Sequence, residues 1–412
     1  PIPTEFGFHT TSDEVARHYA PPIEGKTILV TGVSPNGLGA ETAAALAQQR
    51  PKLLILAGRS PDKCVNHALA KILVQWTDVL SAEYTKRKSI AELAPDVEIK
   101  TLIVDLASLR QARQAGEEVE SWGIAIDVLI NNAGIMAIPE RELTEDGYEA
   151  HFATNHLGPF VFTTTILPSL RRASSPRIVN VSSWGHHLSP VLFDDLNAEK
   201  TYEKFTRYGH SKTANILFAV ALARRGLCAV SLHPGVVRTP LLRHLTREDA
   251  LAMGGIAFLP ASDAFEQYIN HSFAGFIRED YSISERFKFK SLKKAQHVSL
   301  SSPAFPGFRE TDSFFWHEQA IVAAFEPTLQ GKSTCHGDAV IDLTGLSHAG
   351  SGGVYLDNCQ IQSNVEAYAV DPVSIFPGCK GSFAYSKRLP CLQETAERLW
   401  RVSEELVANA LS

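Results

Sequence analysis

The sequence predicts an α/β fold of the Rossmann type, a doubly wound parallel sheet of about seven strands, and two observations carry the prediction. Between Lys26 and His233, short β-branched apolar runs alternate with longer helix-period segments, the pattern of parallel βαβ units. The first run ends in a glycine-rich turn that opens directly into a helix-forming stretch, AETAAALAQQ.

The predicted strands are KTILVT (26–31), KLLILAG (52–58), IKTLIVDL (99–106), DVLINNAG (127–134), RIVNVSS (177–183) and LCAVSLHPG (227–235). Each is nearly continuously apolar, as expected of strands covered on both faces. GGVYLDNCQ (352–360) reads as a seventh strand. ETAERLWRVSEELVANAL (394–411) reads as an amphipathic helix with Leu399, Val402, Leu406 and Val407 on one face.

The expected organisation is a single domain over 1–412, its core at about 25–240 and 352–410, with 241–351 as a substrate-loop region. That region holds a helix-like piece at 313–325 and a basic run, RFKFKSLKK, at 286–294, which reads as a solvated loop. Four tracts, near 76–92, 281–310, 330–351 and 372–392, look least like core. They read either as lid elaboration or as intervening sequence retained in the coding message.

Composition narrows the function classes. Of 412 residues, 44% are hydrophobic and 20% charged, which is ordinary globular usage and leaves ample apolar material for a core. A net charge of -6 gives no reason to expect nucleic acid as a partner. The six cysteines form no C-x-x-C pair and no zinc-like spacing, so free thiols in a reducing compartment and no bound metal are expected. The first residues are polar and acidic, unlike a signal peptide. The apolar stretch from Thr213 to Ala223 is about half the ~20 residues a transmembrane helix needs. A cytoplasmic location is expected.

Four segments carry chemistry. In Thr31-Gly32-Val33-Ser34-Pro35-Asn36-Gly37-Leu38-Gly39 the glycines permit close backbone approach, and the helix N-terminus that follows attracts a pyrophosphate. The second strand closes in Ala57-Gly58-Arg59-Ser60. An NAD-preferring fold would usually carry an acid there for the ribose 2′-OH, whereas Arg59 suits a 2′-phosphate. NADP(H) is therefore expected over NAD(H).

Tyr208-Gly209-His210-Ser211-Lys212 places a phenol and an ammonium four residues apart, on one helical face. A nearby cation makes a phenol useful as an acid or base near neutrality. Ser183, at the carboxyl end of the fifth strand, can hold a substrate oxygen where open α/β sheets bind ligands. His186 and His187 follow it, but no G-x-S-x-G elbow surrounds Ser183, so they read as loop residues and not as part of a hydrolase.

Together these segments resemble the short-chain dehydrogenase/reductase family, in particular its retinol-dehydrogenase-like and fungal secondary-metabolism members. The glycine turn, Asp105-Leu106, Asn131-Asn132-Ala133-Gly134, Asn155, Ser183, Tyr208/Lys212 and Pro234-Gly235-x-x-x-Thr239 occur in the family's order. The resemblance implies that Tyr208 is the catalytic acid/base, Lys212 lowers its pKa and holds the nicotinamide ribose, Ser183 orients the carbonyl, and Asn155 supports a proton relay. It further implies cofactor contacts at Gly32, Gly37, Leu38, Gly39, Arg59, Asp105, Asn132, Val237 and Thr239.

The implied activity is NADP(H)-dependent reduction of a ketone, or oxidation of a secondary alcohol, on a hydrophobic small molecule, and the resemblance implies a homodimer paired through helices. One departure stands out. Four residues, Val33 to Asn36, separate the first two glycines where the family usually has three, and Pro35 has no N–H to offer a phosphate. A non-catalytic NADP(H) sensor or scaffold is the alternative, since fold alone does not specify activity.

Overall fold

Leucine, isoleucine and valine dominate the early strands because both of their faces are covered by helices. The computed structural model describes residues 12–35, 37–60, 97–234, 239–246, 248–249, 354–357, 360–361 and 385–412. The strands are β1 (Thr27–Thr31), β2 (Leu53–Gly58), β3 (Glu98–Ile103), β4 (Val128–Asn131), β5 (Arg177–Val181), β6 (Cys228–Leu232), β7 (Val354–Asp357) and β8 (Gln360–Ile361).

They form one sheet in the order β3-β2-β1-β4-β5-β6-β7-β8. Pairing is parallel from β3 through β7, and only β8 runs antiparallel, against β7. The strand order reverses between β1 and β4, which opens a crevice beyond their carboxyl ends.

The helices are α1 (Ser12–His18), α2 (Ala20–Ile23), α3 (Leu38–Ala47), α4 (Leu109–Ser121), α5 (Ala150–Phe152), α6 (Gly158–Thr165), α7 (Leu167–Arg172), α8 (Lys204–Arg224) and α9 (Tyr385–Leu411). Side chains alternate across the sheet as a strand's period of two requires. On β1, Ile28 and Val30 join a core cluster with Val15 of α1 and Leu46 of α3, whereas Leu29 joins the opposite cluster with Val119 of α4, Phe162 of α6 and Leu217 of α8.

Four of the first six predicted strands overshoot the observed ones. Those expected to reach Leu106, Gly134, Ser183 and Gly235 leave the ladder at Ile103, Asn131, Val181 and Leu232. After β4 the chain turns at once, with the Asn132 N–H bonded to the Ile130 carbonyl at 3.1 Å. Beyond those ends, Asp105, Leu106, Asn132, Gly134, Ser182 and Pro234 line the crevice. β3 also departs from the expected two-sided burial: of its side chains only Leu102 is buried, and Ile103 is 64% exposed. It lies at the end of the strand order, where one neighbour is missing among the described residues.

The C-terminal helix begins at Tyr385, ahead of the expected Glu394 and inside the tract placed at 372–392. Leu399 and Val407 are buried as its pattern implies, together with Ala396, Trp400 and Ser403. The Trp400 ring lies 4.9 Å from Phe160 and 6.0 Å from Phe218, with the Arg225 guanidinium 3.6 Å from its centre. Ser403 meets His156 at 2.9 Å, and the Tyr148 hydroxyl donates to the Leu406 carbonyl at 2.7 Å. These contacts seat α9 against α6 and α8.

The tracts 76–92, 281–310 and 330–351, the piece at 313–325, the basic run 286–294 and positions 372–384 lie outside the described residues, as does Val237. Among the described residues no helix is long and apolar enough to cross a membrane.

Candidate active site

A cleft of about 600 Å³ opens at the carboxyl ends of the strands. Gly32, Gly37, Leu38, Arg59, Asp105, Asn132, Tyr208, Lys212 and Thr239 all line it, so residues scattered over most of the first 240 positions meet at one surface. Gly39, Ser183 and Asn155 are not among the residues that line it.

The glycine turn is built for close approach. Gly32 has φ +74, and a Cβ there would fall 2.6 Å from the Ala133 Cα. A Cβ on Gly39 would fall 2.6 Å from the Asn132 amide nitrogen, so that glycine serves the packing of α3 against the β4 turn. Asn132 itself donates to the Thr31 carbonyl at 2.8 Å and the Gly32 carbonyl at 3.2 Å, which locks the two turns together. The extra turn residue is absorbed where the Gly37 N–H bonds the Ser34 carbonyl at 2.9 Å. Gly37 caps α3 with no side-chain acceptor, and the first-turn N–H groups of that helix fit a phosphate. Among the cleft's other members, Asp105 accepts from the Ala107 N–H at 3.0 Å, and Arg59 is exposed.

At the other end of the cleft α8 delivers Tyr208 and Lys212. Burial pushes the Tyr208 phenol up to about 12, opposed by a hydrogen bond with Ser183. Burial lowers Lys212 to about 8. Its ammonium donates to the Val181 carbonyl at 3.1 Å and lies 5.6 Å from the centre of the Tyr208 ring. Ser182 anchors the helix by donating to the Lys212 carbonyl at 2.8 Å. Gly134 is small for a reason: a Cβ there would lie 3.1 Å from the Asn155 side-chain oxygen and 3.3 Å from the Lys212 nitrogen.

Asn155 sits in a π turn, Ala153–Leu157, between α5 and α6, a local distortion frequent at functional sites. Its amide donates to the Ile135 carbonyl at 3.0 Å and the Ser211 hydroxyl at 2.9 Å, and its oxygen accepts from the Ile135 N–H at 2.8 Å. That side chain is a strut between the β4 turn and α8. His186 and His187 belong to a 3₁₀ turn, Trp184–Leu188, where a loop was expected. His186 is buried, with Nδ1 2.6 Å from the Ser183 carbonyl, and does not line the cleft.

Residues 26–250 match the sequence profile described as short chain dehydrogenase. The chain belongs to the short-chain dehydrogenase family. Human retinol dehydrogenase 14 is 40% identical over 233 residues, covering 54% of this chain and 65% of that protein. Human retinol dehydrogenase 12 is 34% identical over 229 residues, with coverage of 54% and 65%. The oxidoreductase fscI of Fusarium equiseti is 33% identical over 268 residues, 57% of this chain and 96% of its own. The chain thus spans just under two thirds of the retinol dehydrogenases and nearly all of the fungal enzyme. Among solved structures, levodione reductase is 19% identical over 81% of this chain and 97% of its own, with a TM-score of 0.45.

Members of the short-chain dehydrogenase family bind a nicotinamide dinucleotide, and the uncapped N-terminus of α3 with its glycine turn fits one. The sequence reading missed three contributors to the site. Arg243 and Leu241 line the cleft from a 3₁₀ turn, Pro240–His244, that follows Thr239. Glu149, fully buried, accepts from the Phe152 N–H at 2.9 Å and from the His151 ring at 2.8 Å, and so sets the entry of the α5 turn. The only sequence signal for Arg243 is its distance of four from Thr239, which no motif marks.

Proposed function

We propose that this protein is an NADP(H)-dependent oxidoreductase that reduces a ketone, or oxidises a secondary alcohol, on a hydrophobic small molecule such as a secondary-metabolite intermediate. The observation that carries the reading is one cleft with Tyr208 and Lys212 at one end and Arg59 at the other, and Ser183 bonded to the Tyr208 phenol. The chain acts as one dinucleotide-binding domain, in keeping with β7 pairing to β6 in the same sheet.

When bound, the nicotinamide supplies or accepts the hydride. The remaining work falls to the chain. Tyr208, held protonated by burial, is the acid that gives its phenolic proton to the substrate oxygen in reduction. Ser183 shares a hydrogen bond with that phenol and stabilises the same oxygen as negative charge develops on it. Lys212 keeps a positive charge beside the tyrosine and has a free donor position for the ribose hydroxyls. Asn155 holds Ile135 and Ser211 in place around them, which supports the proton path by position.

Gly32, Gly37 and Leu38 would hold the pyrophosphate, Asp105 the adenine, Asn132 the adenosine ribose and Thr239 the carboxamide; Val237, which the resemblance assigns to the same contact, lies outside the described residues. Arg59 would pair with the 2′-phosphate. Beside Tyr208 an apolar cluster of Met136, Ala137, Phe205, Leu241, Leu242 and Leu245 packs together, and Leu241 lines the cleft with Ile135 and Ile138, which favours a hydrophobic substrate. The names of the retinol dehydrogenases and the near-complete coverage of fscI point the same way. A homodimer would pair through surfaces other than the Phe218 side of α8, which α9 covers.

The test is cofactor turnover by the purified chain, given NADPH or NADH with a panel of hydrophobic ketones while absorbance of the reduced nicotinamide is followed. Consumption of NADPH in preference to NADH is expected. Preferential consumption of NADH would overturn the cofactor assignment.

A further inference from the structure

We propose that Arg243 joins Arg59 in a two-arginine site for the 2′-phosphate of the dinucleotide, and that the segment carrying Arg243 couples occupancy of that site to the apolar wall beside Tyr208. The inference rests on the NADP(H) reading above and adds a residue outside the glycine turn and the β2 end.

Both arginines line the same cleft, one from the end of β2 and one from the 3₁₀ turn after Thr239. Neither makes an ion pair with a carboxylate among the described residues, although Glu142 also lines the cleft. The one hydrogen bond of the Arg243 guanidinium among them runs to the Pro240 carbonyl at 3.2 Å, within its own turn. Burial and then the charge of Arg59 lower the proton affinity of Arg243, in keeping with two guanidiniums that line one cleft. Both stay charged at any physiological pH. Two like charges facing one cleft with donors to spare are matched by a dianion, and a phosphate takes planar guanidiniums in paired hydrogen bonds.

The same turn reaches the chemistry. Thr239 caps it, its hydroxyl accepting from the Leu241 N–H at 3.3 Å, and Leu241, Leu242 and Leu245 pack against Met136, Ala137 and Tyr208. A phosphate held by Arg243 therefore holds the three leucines as well. NADPH and NADH differ only at that phosphate, so the coupling gives a ketone a lower KM when NADPH is the partner.

The test uses the full chain as wild type, Arg59→Gln, Arg243→Gln and Arg243→Lys. Dissociation constants for NADPH and NADH are read by nicotinamide fluorescence, and ketone KM is read with each cofactor. Thermal melts verify folding. The expected result is a tenfold or larger loss of NADPH affinity in both Gln variants with less than a twofold change for NADH, a partial loss in Arg243→Lys, and a raised ketone KM in Arg243→Gln with NADPH alone. If Arg59→Gln discriminates between the cofactors while Arg243→Gln weakens neither or both equally, the role of Arg243 is overturned and the NADP(H) reading stands. If neither Gln variant discriminates, the NADP(H) reading falls and this site with it.

Discussion

The Lys212 ammonium lies 5.6 Å from the centre of the Tyr208 ring and is held there by the Val181 carbonyl at 3.1 Å. Burial brings Lys212 down to about 8 and pushes Tyr208 up to about 12, so below about pH 8 the free enzyme carries a charged lysine beside a protonated phenol. Both are in the form that reduction requires. Raising the pH removes the lysine proton first. The value of kcat/KM for ketone reduction is therefore level toward neutrality and falls as pH rises through about 8. Alcohol oxidation, which needs the phenol as base, gains with pH. A pH profile of kcat/KM with saturating NADPH measures this, and a reduction limb that stays flat to pH 10 contradicts it.

Gly32 and Gly25 make a matched pair. Both have positive φ, +74 and +75, but a Cβ on Gly32 would meet the Ala133 Cα at 2.6 Å whereas one on Gly25 meets nothing within 4 Å. Gly32→Ala is expected to abolish dinucleotide binding and to destabilise the fold by more than the ~1–2 kcal/mol of left-handed strain alone. Gly25→Ala bears only that strain and keeps its cofactor. Melts and NADPH titrations of the two variants compare them directly.

Much of this arrangement is legible in the sequence, and the exceptions share one cause. Strands such as Thr27–Thr31 announce themselves because residues covered on both faces are all apolar. Tyr208 and Lys212 do so because four residues on a helix share a face. What escapes is whatever depends on the partner across space. The exposure of Ile103 follows from the position of β3 at the end of the strand order, and the early ends of β3, β4, β5 and β6 are set by pairing that only the assembled sheet fixes. The π turn at Asn155, the burial of Glu149 and the presence of Arg243 and Arg59 on one cleft leave no local pattern to read. The role of α9 as a cover for α8 is of the same kind, although its apolar face is plain from Leu399 to Val407.

Trp400 is the main anchor of that cover, packed between Phe160 and Phe218 with Arg225 stacked on it. Trp400→Ala is expected to cost about 3–5 kcal/mol, the range for large aromatic truncations in a core. Denaturant unfolding measures it. A loss below about 1 kcal/mol would mean that α9 does not dock as described.

Glu149 is a buried carboxylate whose burial alone would raise its pKa, yet the hydrogen bonds from His151 and from the Phe152 and His151 N–H groups outweigh this and hold it below the usual value. A lowered folded-state pKa contributes stability above the ordinary carboxylate range that is lost as pH falls through the folded value. Glu149→Gln is expected to destabilise the protein at neutral pH by about 1–3 kcal/mol and to make its acid unfolding less steep. Urea midpoints at neutral and acid pH check both statements, and a variant as stable as wild type at neutral pH would contradict the first.

The most direct measurement is NADPH oxidation by wild type and Tyr208→Phe side by side, with NADPH binding recorded in the same samples. The phenyl ring keeps the packing against Met136 and Ala137 and removes only the hydroxyl that Ser183 engages. Undiminished NADPH binding with turnover reduced by a factor of roughly a hundred or more is the expected result, in line with the loss of a positioned general acid. A Tyr208→Phe variant that reduces ketones at the wild-type rate would contradict the assignment of the proton to Tyr208. A wild type that binds NADPH and turns over no ketone would favour a cofactor-sensing protein over an enzyme.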